Sequence, residues 1–593
     1  MKTTLALTAL LLASFAVEAA LPNGYWADRE IRELLDKTIE VRLAPDVSAL
    51  SAGERETVAL LLEAGGLLQE IYELSKHPQA LDAYAKLQTL EVTAEDQSRR
   101  AGLLTLYRLS QGPVLTTLDN KRVPFLPVAP EVPGKNVYPP GIQRDAVEAF
   151  LKAHPQQRQD LIAERTVVRR ATAAQLAADI AALRKYAVID GLHPGLMDRM
   201  TVLLAAKDER ALYAVPYALA YADRLVAAHA LLRKAADAIE PEDAEFARYL
   251  RNRARDLLTN DYESGDAAWI TGRFKRLNAQ IGAYETYDDA LYGTKAFHSF
   301  SVLLRNDAAT AELRKNLGSL QALEDALPYK QHKTVRSDIP VGVYDVLADF
   351  GQARGTNTAS ILPNDPLMSQ RYGRTILLRD NIMRNADLFA SDLRIWQAAT
   401  VAAHHDELTA DSNARRTLWH EIGHYLGVER DKTGRTLDVA LEDYADAVEE
   451  MKSDLVSLFT QRLLHERGEL DADILRTIEA SGIRRMLQNV KPRADQPYQT
   501  MQLVQFNWFV EHGVLQPDAK TARLAIDYTR YAQAVASLLE QTLQLQYQGD
   551  RKATAAFFAK YTSWNDNHER LAKRIRDAQG ARFRVVRYAA LGE

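Results

Sequence analysis

The chain has 593 residues, a formal net charge of −5 and no cysteine. This length is ample for two or more domains with large hydrophobic cores. The lack of cysteine excludes thiolate metal sites, thiol nucleophiles and disulfides, and the dispersed basic residues give no indication of a nucleic-acid-binding surface.

The first 20 residues have the pattern of a secretory signal peptide. Lys2 precedes a short apolar run from Leu5 to Val17, and the small residues Ala19 and Ala20 offer a cleavage site. The run is short for a membrane span, and no later segment is apolar enough for one. The sequence therefore predicts export, to a bacterial periplasm. A buried N-terminal helix is the alternative.

Apolar spacing and proline content divide the remaining chain into four parts. These are an N-terminal helical region with a proline-rich linker (21–143), a mixed α/β lobe (144–385), a helical lobe (386–580) and a C-terminal strand that returns to the mixed lobe (581–593). Predicted helices in the first half run over 29–43, 52–77, 80–90, 144–153 and 295–327, and predicted strands over 166–170, 212–216 and, around a turn, 267–287.

The stretch from Thr417 to Gly427 contains the pattern His-Glu-x-x-His. Residues four apart lie on one face of a helix, so His420 and His424 can offer two imidazoles to one metal ion. The carboxylate of Glu421 is then placed to reach a water at that metal, as in zinc hydrolases. The alternative is a pair of ordinary histidines on a helix.

A catalytic zinc site needs a third protein ligand and one open position. The following acidic segment offers the pattern Glu-x-x-x-Asp twice, as Glu442 with Asp446 and as Glu450 with Asp454. The Glu would bind zinc, and the Asp one turn later would orient a ligand histidine. Spacing alone does not decide between the two pairs.

These parts predict a hydrolase with one Zn²⁺ per chain. The metal activates a water and polarises the scissile carbonyl. Glu421 accepts the proton of the water and passes it to the leaving amine.

The segment from Glu449 to Leu458 resembles the Glu-Glu-x-x-x-Asp/Glu segment of the dipeptidyl peptidase III family. The resemblance reaches from about residue 160 to the C-terminus. It includes further segments similar to bacterial members of that family, namely 260–269, 281–293, 362–365 and 505–508.

The resemblance implies a predominantly helical α+β fold with two lobes around a cleft. One lobe is helical and binds zinc, and the other contains a small β-barrel with helices. It also implies Glu450 as the third zinc ligand, with Asp454 orienting a ligand histidine.

The resemblance further implies roles in binding and catalysis for residues outside the metal site. Tyr287 matches a tyrosine that supports the transition state, Glu285 an acid that holds the free N-terminal ammonium of the substrate, and Asn364 an asparagine that positions the peptide backbone. Tyr498 stands where the family has a histidine that helps to stabilise the transition state, and we predict that it contacts substrate.

Three departures from the family pattern bear on specificity. The motif here is the shorter form, with one residue fewer before the second histidine. Ile361 replaces a common asparagine, and Tyr498 replaces the histidine. We predict a zinc metallopeptidase that acts on short peptides and releases N-terminal dipeptides. The alternatives are a zinc aminopeptidase or oligopeptidase of the same fold, or a non-catalytic exported peptide-binding protein.

Overall fold

The structure is a computed structural model that describes residues 21–93, 96–118, 121–130, 134–286, 288–311, 320–335, 341–362, 368, 371–373, 375–492 and 496–593. The predicted signal peptide, residues 1–20, lies outside these residues. Within the described ranges, every helix is too short or too polar to cross a membrane.

The N-terminal part forms a small core of its own. Its elements are α1 (Asp28–Leu35), β1 (Thr38–Leu43), α2 (Ala52–Lys76), α3 (Ala80–Thr89), α4 (Asp96–Ser110) and the hairpin β2 (Val114–Thr116) and β3 (Arg122–Pro124). Leu34, Leu103, Tyr107 and Phe125 are buried together in this core. Strand β1 and helix α2 instead bury their apolar residues in a larger core that they share with the next part of the chain. The prediction of one helix over 29–43 is wrong, because the alternating segment Thr38–Leu43 buries Val41 and Leu43 as a strand.

Helices dominate the next part of the chain. Its elements are α5 (Arg144–Ala153), α6 (Arg158–Ile162), β4 (Thr166–Arg170), α7 (Ala173–Lys185), α8 (Ala187–Leu192), α9 (Leu196–Ala206), β5 (Leu212–Pro216), α10 (Tyr217–Ala220), α11 (Ala222–Ile239), α12 (Ala244–Thr259) and α13 (Glu263–Thr271). Strands β4 and β5 form an antiparallel pair, which confirms both predicted strands.

A five-stranded sheet follows, in the order β6-β7-β8-β10-β9. Its strands are β6 (Leu277–Glu285), β7 (Phe297–Arg305), β8 (Val341–Gly351), β9 (Ala359–Leu362) and β10 (Thr375–Arg379). Strands β8 and β10 are parallel, and the other neighbours are antiparallel. Among the described strands the sheet is open, so the predicted small barrel is wrong.

Two predicted elements near this sheet are wrong over their first parts, although β6 confirms a strand within 267–287. The strands expected over 267–287 begin instead with helix α13, and the helix expected over 295–327 begins instead with β7. Strand β7 buries side chains on both faces, so its apolar residues do not show the alternation of a half-exposed strand.

The sheet separates the two large cores of the molecule. Leu377 of β10 packs in the first core with the helices of the mixed part. Its neighbours Ile376 and Leu378 point the other way and pack in the second core with the helical part. A strand buried on both faces reads as a continuous apolar run, and all five residues of β10 are buried.

The second core is built from helices. Its elements are α14 (Leu320–Glu324), α15 (Asp380–Met383), α16 (Ala386–Ala399), α17 (Ala410–Gly423), α18 (Leu437–Leu441), α19 (Ala445–Glu466), α20 (Ala472–Met486), α21 (Pro497–Glu511), β11 (Leu515–Pro517), β12 (Leu524–Ile526), α22 (Tyr531–Gln548), α23 (Arg551–Tyr561) and α24 (Asp566–Gln579). The molecule is therefore a predominantly helical α+β protein, as predicted.

The C-terminal strand β13 (Phe583–Tyr588) leaves the helical part and pairs in parallel with β1. Val586 and Tyr588 are buried in the first core. The predicted terminal strand is therefore present. It pairs with β1 of the N-terminal part (21–143) and not with a strand of the predicted mixed lobe (144–385), although its buried side chains pack with residues of that lobe.

Candidate metal centre

Helix α17 begins at a capping box and ends against helix α19. Thr409 Oγ1 accepts from the backbone N–H of Ser412, and Thr409 N–H donates to Ser412 Oγ. A Cβ on Gly423 would lie 2.7 Å from the carbonyl oxygen of Ser453. Glycine at this position therefore allows the end of α17 to approach α19 closely, with His420 in the last turn of the helix and His424 directly after it.

This close approach brings two imidazoles and one carboxylate together. His420 Nε2 lies 3.2 Å from Glu450 Oε2, and His424 Nε2 lies 4.0 Å from Glu450 Oε1. The three potential ligand atoms lie within 4.8 Å of one another. Two nitrogens and one carboxylate oxygen form the donor set of a catalytic zinc site with one open position.

The carboxylate of Glu450 fits a metal in a further respect. Its Oε2 is buried and makes no well-aligned hydrogen bond, although His420 Nε2 lies 3.2 Å away. A buried carboxylate oxygen that is poorly satisfied is energetically costly, and a divalent cation between the histidines and Glu450 would satisfy it.

Asp454 lies behind His420. The Nδ1–H of His420 donates to Asp454 Oδ1 over 2.7 Å, which turns Nε2 toward Glu450. Asp454 Oδ2 accepts from Arg485 Nε at 2.7 Å, and Oδ1 lies 3.3 Å from Arg416 Nη1. Burial opposes ionisation of Asp454, but Arg485, His420 and Arg416 outweigh it and hold the pKa of its carboxyl well below the usual range.

Glu449 occupies the corresponding position behind His424. Its Oε1 accepts from His424 Nδ1–H at 2.9 Å, and Ser453 Oγ also lies 2.9 Å from that nitrogen. Lys452 Nζ is 2.7 Å from the same oxygen, and Gln546 Nε2 donates to Oε2 at 2.9 Å. Burial raises the pKa of Glu449, but the opposing effect of Lys452 and His424 is larger. The pKa of this carboxyl therefore lies well below its usual value, and the group stays ionised.

The residues behind His424 were not predicted as site residues from the sequence. Glu449 stands next to Glu450 in the acidic segment, and this position was the only signal for it. Gln546 is distant in sequence and reaches the site only through packing of α22 against α19.

The carboxylates also change the proton affinity of His420. Burial lowers the pKa of this imidazole, but Asp454 and Glu450 raise it to about 9. In the metal-free protein the site therefore holds a proton at neutral pH. A metal ion must displace that proton in order to bind.

The metal centre opens into a cavity of about 730 Å³. His420 and Glu421 line it from α17, and Tyr498 lines it from the first turn of α21. Tyr498 is 51% exposed, and its hydroxyl donates to Glu450. The remaining wall comes from the loop around Thr356, from helices α15, α16 and α20, and from Arg584 of β13.

The other predicted site residues lie elsewhere or outside the described residues. Glu442 is 66% exposed and forms an ion pair with Arg551, so the structure does not bring it to the two imidazoles. Glu285 is half-buried at the end of β6 and does not line the cavity at the metal centre. Tyr287 and Asn364 lie outside the described residues.

The arrangement of helices and sheet is similar to two solved structures. DPP III (dipeptidyl peptidase III) from Caldithrix abyssi matches with a TM-score of 0.79 and 23% identity, over 95% of this chain and 99% of that chain. Dipeptidyl peptidase III from Corallococcus sp. strain EGB matches with a TM-score of 0.73 and 23% identity, over 96% and 98%. The chain has the dipeptidyl peptidase III fold. This confirms the predominantly helical α+β fold implied by the sequence resemblance, without the small barrel, and extends the likeness to the N-terminal part.

No family model matches the chain. A curated relative, Nudix hydrolase 3 from Arabidopsis thaliana, is 28% identical over 360 residues, which are 59% of this chain and 46% of the relative. The chain thus spans about half the length of that relative. The name describes a protein of which more than half lies outside the matched region.

Proposed function

We propose that the protein is a zinc-dependent peptidase that hydrolyses short peptides. The observation that supports this most directly is the convergence of His420, His424 and Glu450 beside a cavity of about 730 Å³, which His420 and Glu421 line. The dipeptidyl peptidase III fold and the intact His-Glu-x-x-His motif favour the same activity.

The residues of the chain divide the work of hydrolysis among them. Zinc would be held by His420, His424 and Glu450 and would act as a Lewis acid when bound. Glu421 accepts a proton from the attacking water and returns it to the leaving amine. Asp454 and Glu449 fix the orientation of the two imidazoles.

Release of N-terminal dipeptides is the specificity that we propose. It is supported by the resemblance at Glu285, Tyr287 and Asn364, which would hold the free ammonium, the transition state and the peptide backbone. A zinc aminopeptidase or oligopeptidase of the same fold is the alternative. We also propose export to a bacterial periplasm, from the pattern of residues 1–20.

A non-catalytic peptide-binding protein is the remaining candidate. A purely structural metal site has no use for a general base, so the presence of Glu421 on the cavity wall argues against it.

Peptide cleavage by the purified zinc protein tests the proposal. We expect dipeptides as products from unblocked short peptides and no product after N-terminal acetylation. Cleavage of the acetylated peptides would indicate an oligopeptidase, and release of single residues an aminopeptidase. A zinc-loaded protein that cleaves none of these peptides would contradict the peptidase function.

A further inference from the structure

The cavity beside the metal centre has an excess of arginine on its walls. Arg416, Arg484, Arg485 and Arg584 line it, from helices α17 and α20 and from strand β13. Among the described lining residues the carboxylates are those of Asp392 and Glu421, so the walls are cationic even before a metal binds.

Two of these arginines share a single carboxylate that is already engaged. Arg416 and Arg485 both contact Asp454, whose Oδ1 also accepts from His420. Arg416 is only 9% exposed. Asp392 and Glu421 also lie near Arg416, and Glu450 lies near Arg485. The carboxylate that accepts hydrogen bonds from both guanidinium groups is nevertheless that of Asp454, which also orients an imidazole.

The third arginine has a similar shortage of acceptors. Arg484 Nη2 donates to Asp392 Oδ1 at 2.5 Å, while Asp392 Oδ2 accepts from Asn413. The Nε atoms of both Arg416 and Arg484 are buried without a hydrogen-bond partner. Buried N–H donors without an acceptor are costly, and they lie on residues that line an open cavity.

We propose that this arginine cluster, Arg416, Arg484 and Arg485, recognises a carboxylate on the peptide substrate. A guanidinium presents parallel N–H donors that match a carboxylate, and the pairing strengthens where water is displaced. The bound carboxylate lies next to His420 and Glu421, close to the bond that is cleaved. The inference rests on the proposed peptidase function and specifies its substrate class as peptides with an acidic group near that bond.

The carboxylate has two possible sources in a peptide. It is either the side chain of Asp or Glu, or the free C-terminal carboxylate of a short peptide. Matched peptides distinguish them: one series replaces Glu by Gln at each position in turn, and the other replaces the C-terminal acid by its amide.

Calorimetric binding of these peptides to the zinc-loaded Glu421→Gln variant, which should bind without cleaving, tests the proposal without turnover. We expect at least one acid-bearing peptide to bind about tenfold more tightly than its neutral match, as for a charge-assisted hydrogen bond. Loss of preference on Glu-to-Gln replacement identifies the side chain, and loss on amidation identifies the C-terminus. Equal affinities in both series would overturn the proposal.

Two variants connect the preference to the cluster. In Arg484→Gln, the ratio of the affinity for an acid-bearing peptide to that for its neutral match falls toward one. The control is Arg394→Gln, which replaces an exposed arginine on α16 away from the cavity lining and should leave the ratio unchanged. Arg484→Lys, which retains the charge but not the forked donors, gives an intermediate ratio. A ratio that survives in Arg484→Gln would overturn the role of the cluster.

The outcome separates this inference from the proposed function. A zinc protein that prefers acid-bearing peptides but cleaves none contradicts the peptidase function and supports the recognition of carboxylates. A protein that cleaves peptides and binds acid and neutral forms equally contradicts the recognition of carboxylates alone.

Discussion

Asp454 fixes His420 from behind: its Oδ1 lies 2.7 Å from Nδ1 of the imidazole and leaves Nε2 facing Glu450. The carboxylate is 3% exposed and is held in turn by Arg485 and Arg416. The donor orientation at the metal centre therefore depends on a buried group that does not itself reach the metal.

Replacement of Asp454 by Asn should weaken zinc binding by about 10- to 100-fold, because the imidazole loses its anionic partner. Chelator competition measures the change. Asp446→Asn, an exposed residue earlier on the same helix, is the matched control and should leave the affinity unchanged. Equal affinities of the two variants would contradict a role for Asp454 in orienting His420.

Glu421→Gln should retain zinc and lose peptide hydrolysis. The amide keeps the size of the side chain but cannot accept the proton of the attacking water, a contribution of about 10²–10⁴-fold in rate. Metal content by mass spectrometry and initial rates on one peptide measure both effects. Turnover at the unaltered rate would remove Glu421 from the mechanism.

Glu450→Gln should lower the zinc content of the purified protein, whereas Glu442→Gln should not. The first residue faces both imidazoles, and the second is exposed beside Arg551. An amide oxygen is a poorer zinc ligand than a carboxylate. The reverse result would place the third ligand in the earlier acidic pair.

Zinc affinity should fall as the pH falls below about 9. Burial lowers the pKa of His420, but Asp454 and Glu450 raise it to about 9, so a proton occupies the metal-free site at lower pH. Displacing one proton weakens apparent binding by up to about tenfold per pH unit. Competition titrations at several pH values measure the slope.

The slope should be shallower in Asp454→Asn, because the largest contribution that raises the pKa of His420 is removed. The range from about pH 6 to 9 spans roughly the unperturbed and the raised pKa of His420. A zinc affinity of the unaltered protein that is constant over this range would contradict the predicted pH dependence.

Gly351→Ala should lower the free energy of unfolding by about 2–4 kcal/mol. The alanine would be strained in a left-handed backbone conformation, and its Cβ would overlap with a neighbouring strand. Gly351 has φ +61°, and a Cβ there would lie 2.2 Å from the carbonyl oxygen of His298. Gly355→Ala, where a Cβ meets no atom within 4 Å, is the control. Thermal midpoints of both variants measure the difference, and equal midpoints would contradict the expected strain.

The sequence by itself determined the features that depend on short-range spacing. The His-Glu-x-x-His pattern needs only one helical turn to align His420 and His424, and the resemblance around Glu449 and Glu450 indicated the fold. Strands β4 and β5 and helix α5 followed from local patterns that packing did not override.

Tertiary structure decided the features that depend on which surfaces meet. Spacing left Glu442 and Glu450 equally acceptable, and the contact between Gly423 and Ser453 brings Glu450, not Glu442, to the imidazoles. Strand β7 was not predicted because it is buried on both faces of the sheet. Its sequence therefore lacks the alternation of apolar and polar residues that is typical of a half-exposed strand. The arginine cluster is likewise a product of packing, since Arg416 lies on α17 and Arg485 on α20, and only their shared contact with Asp454 places both on the cavity wall.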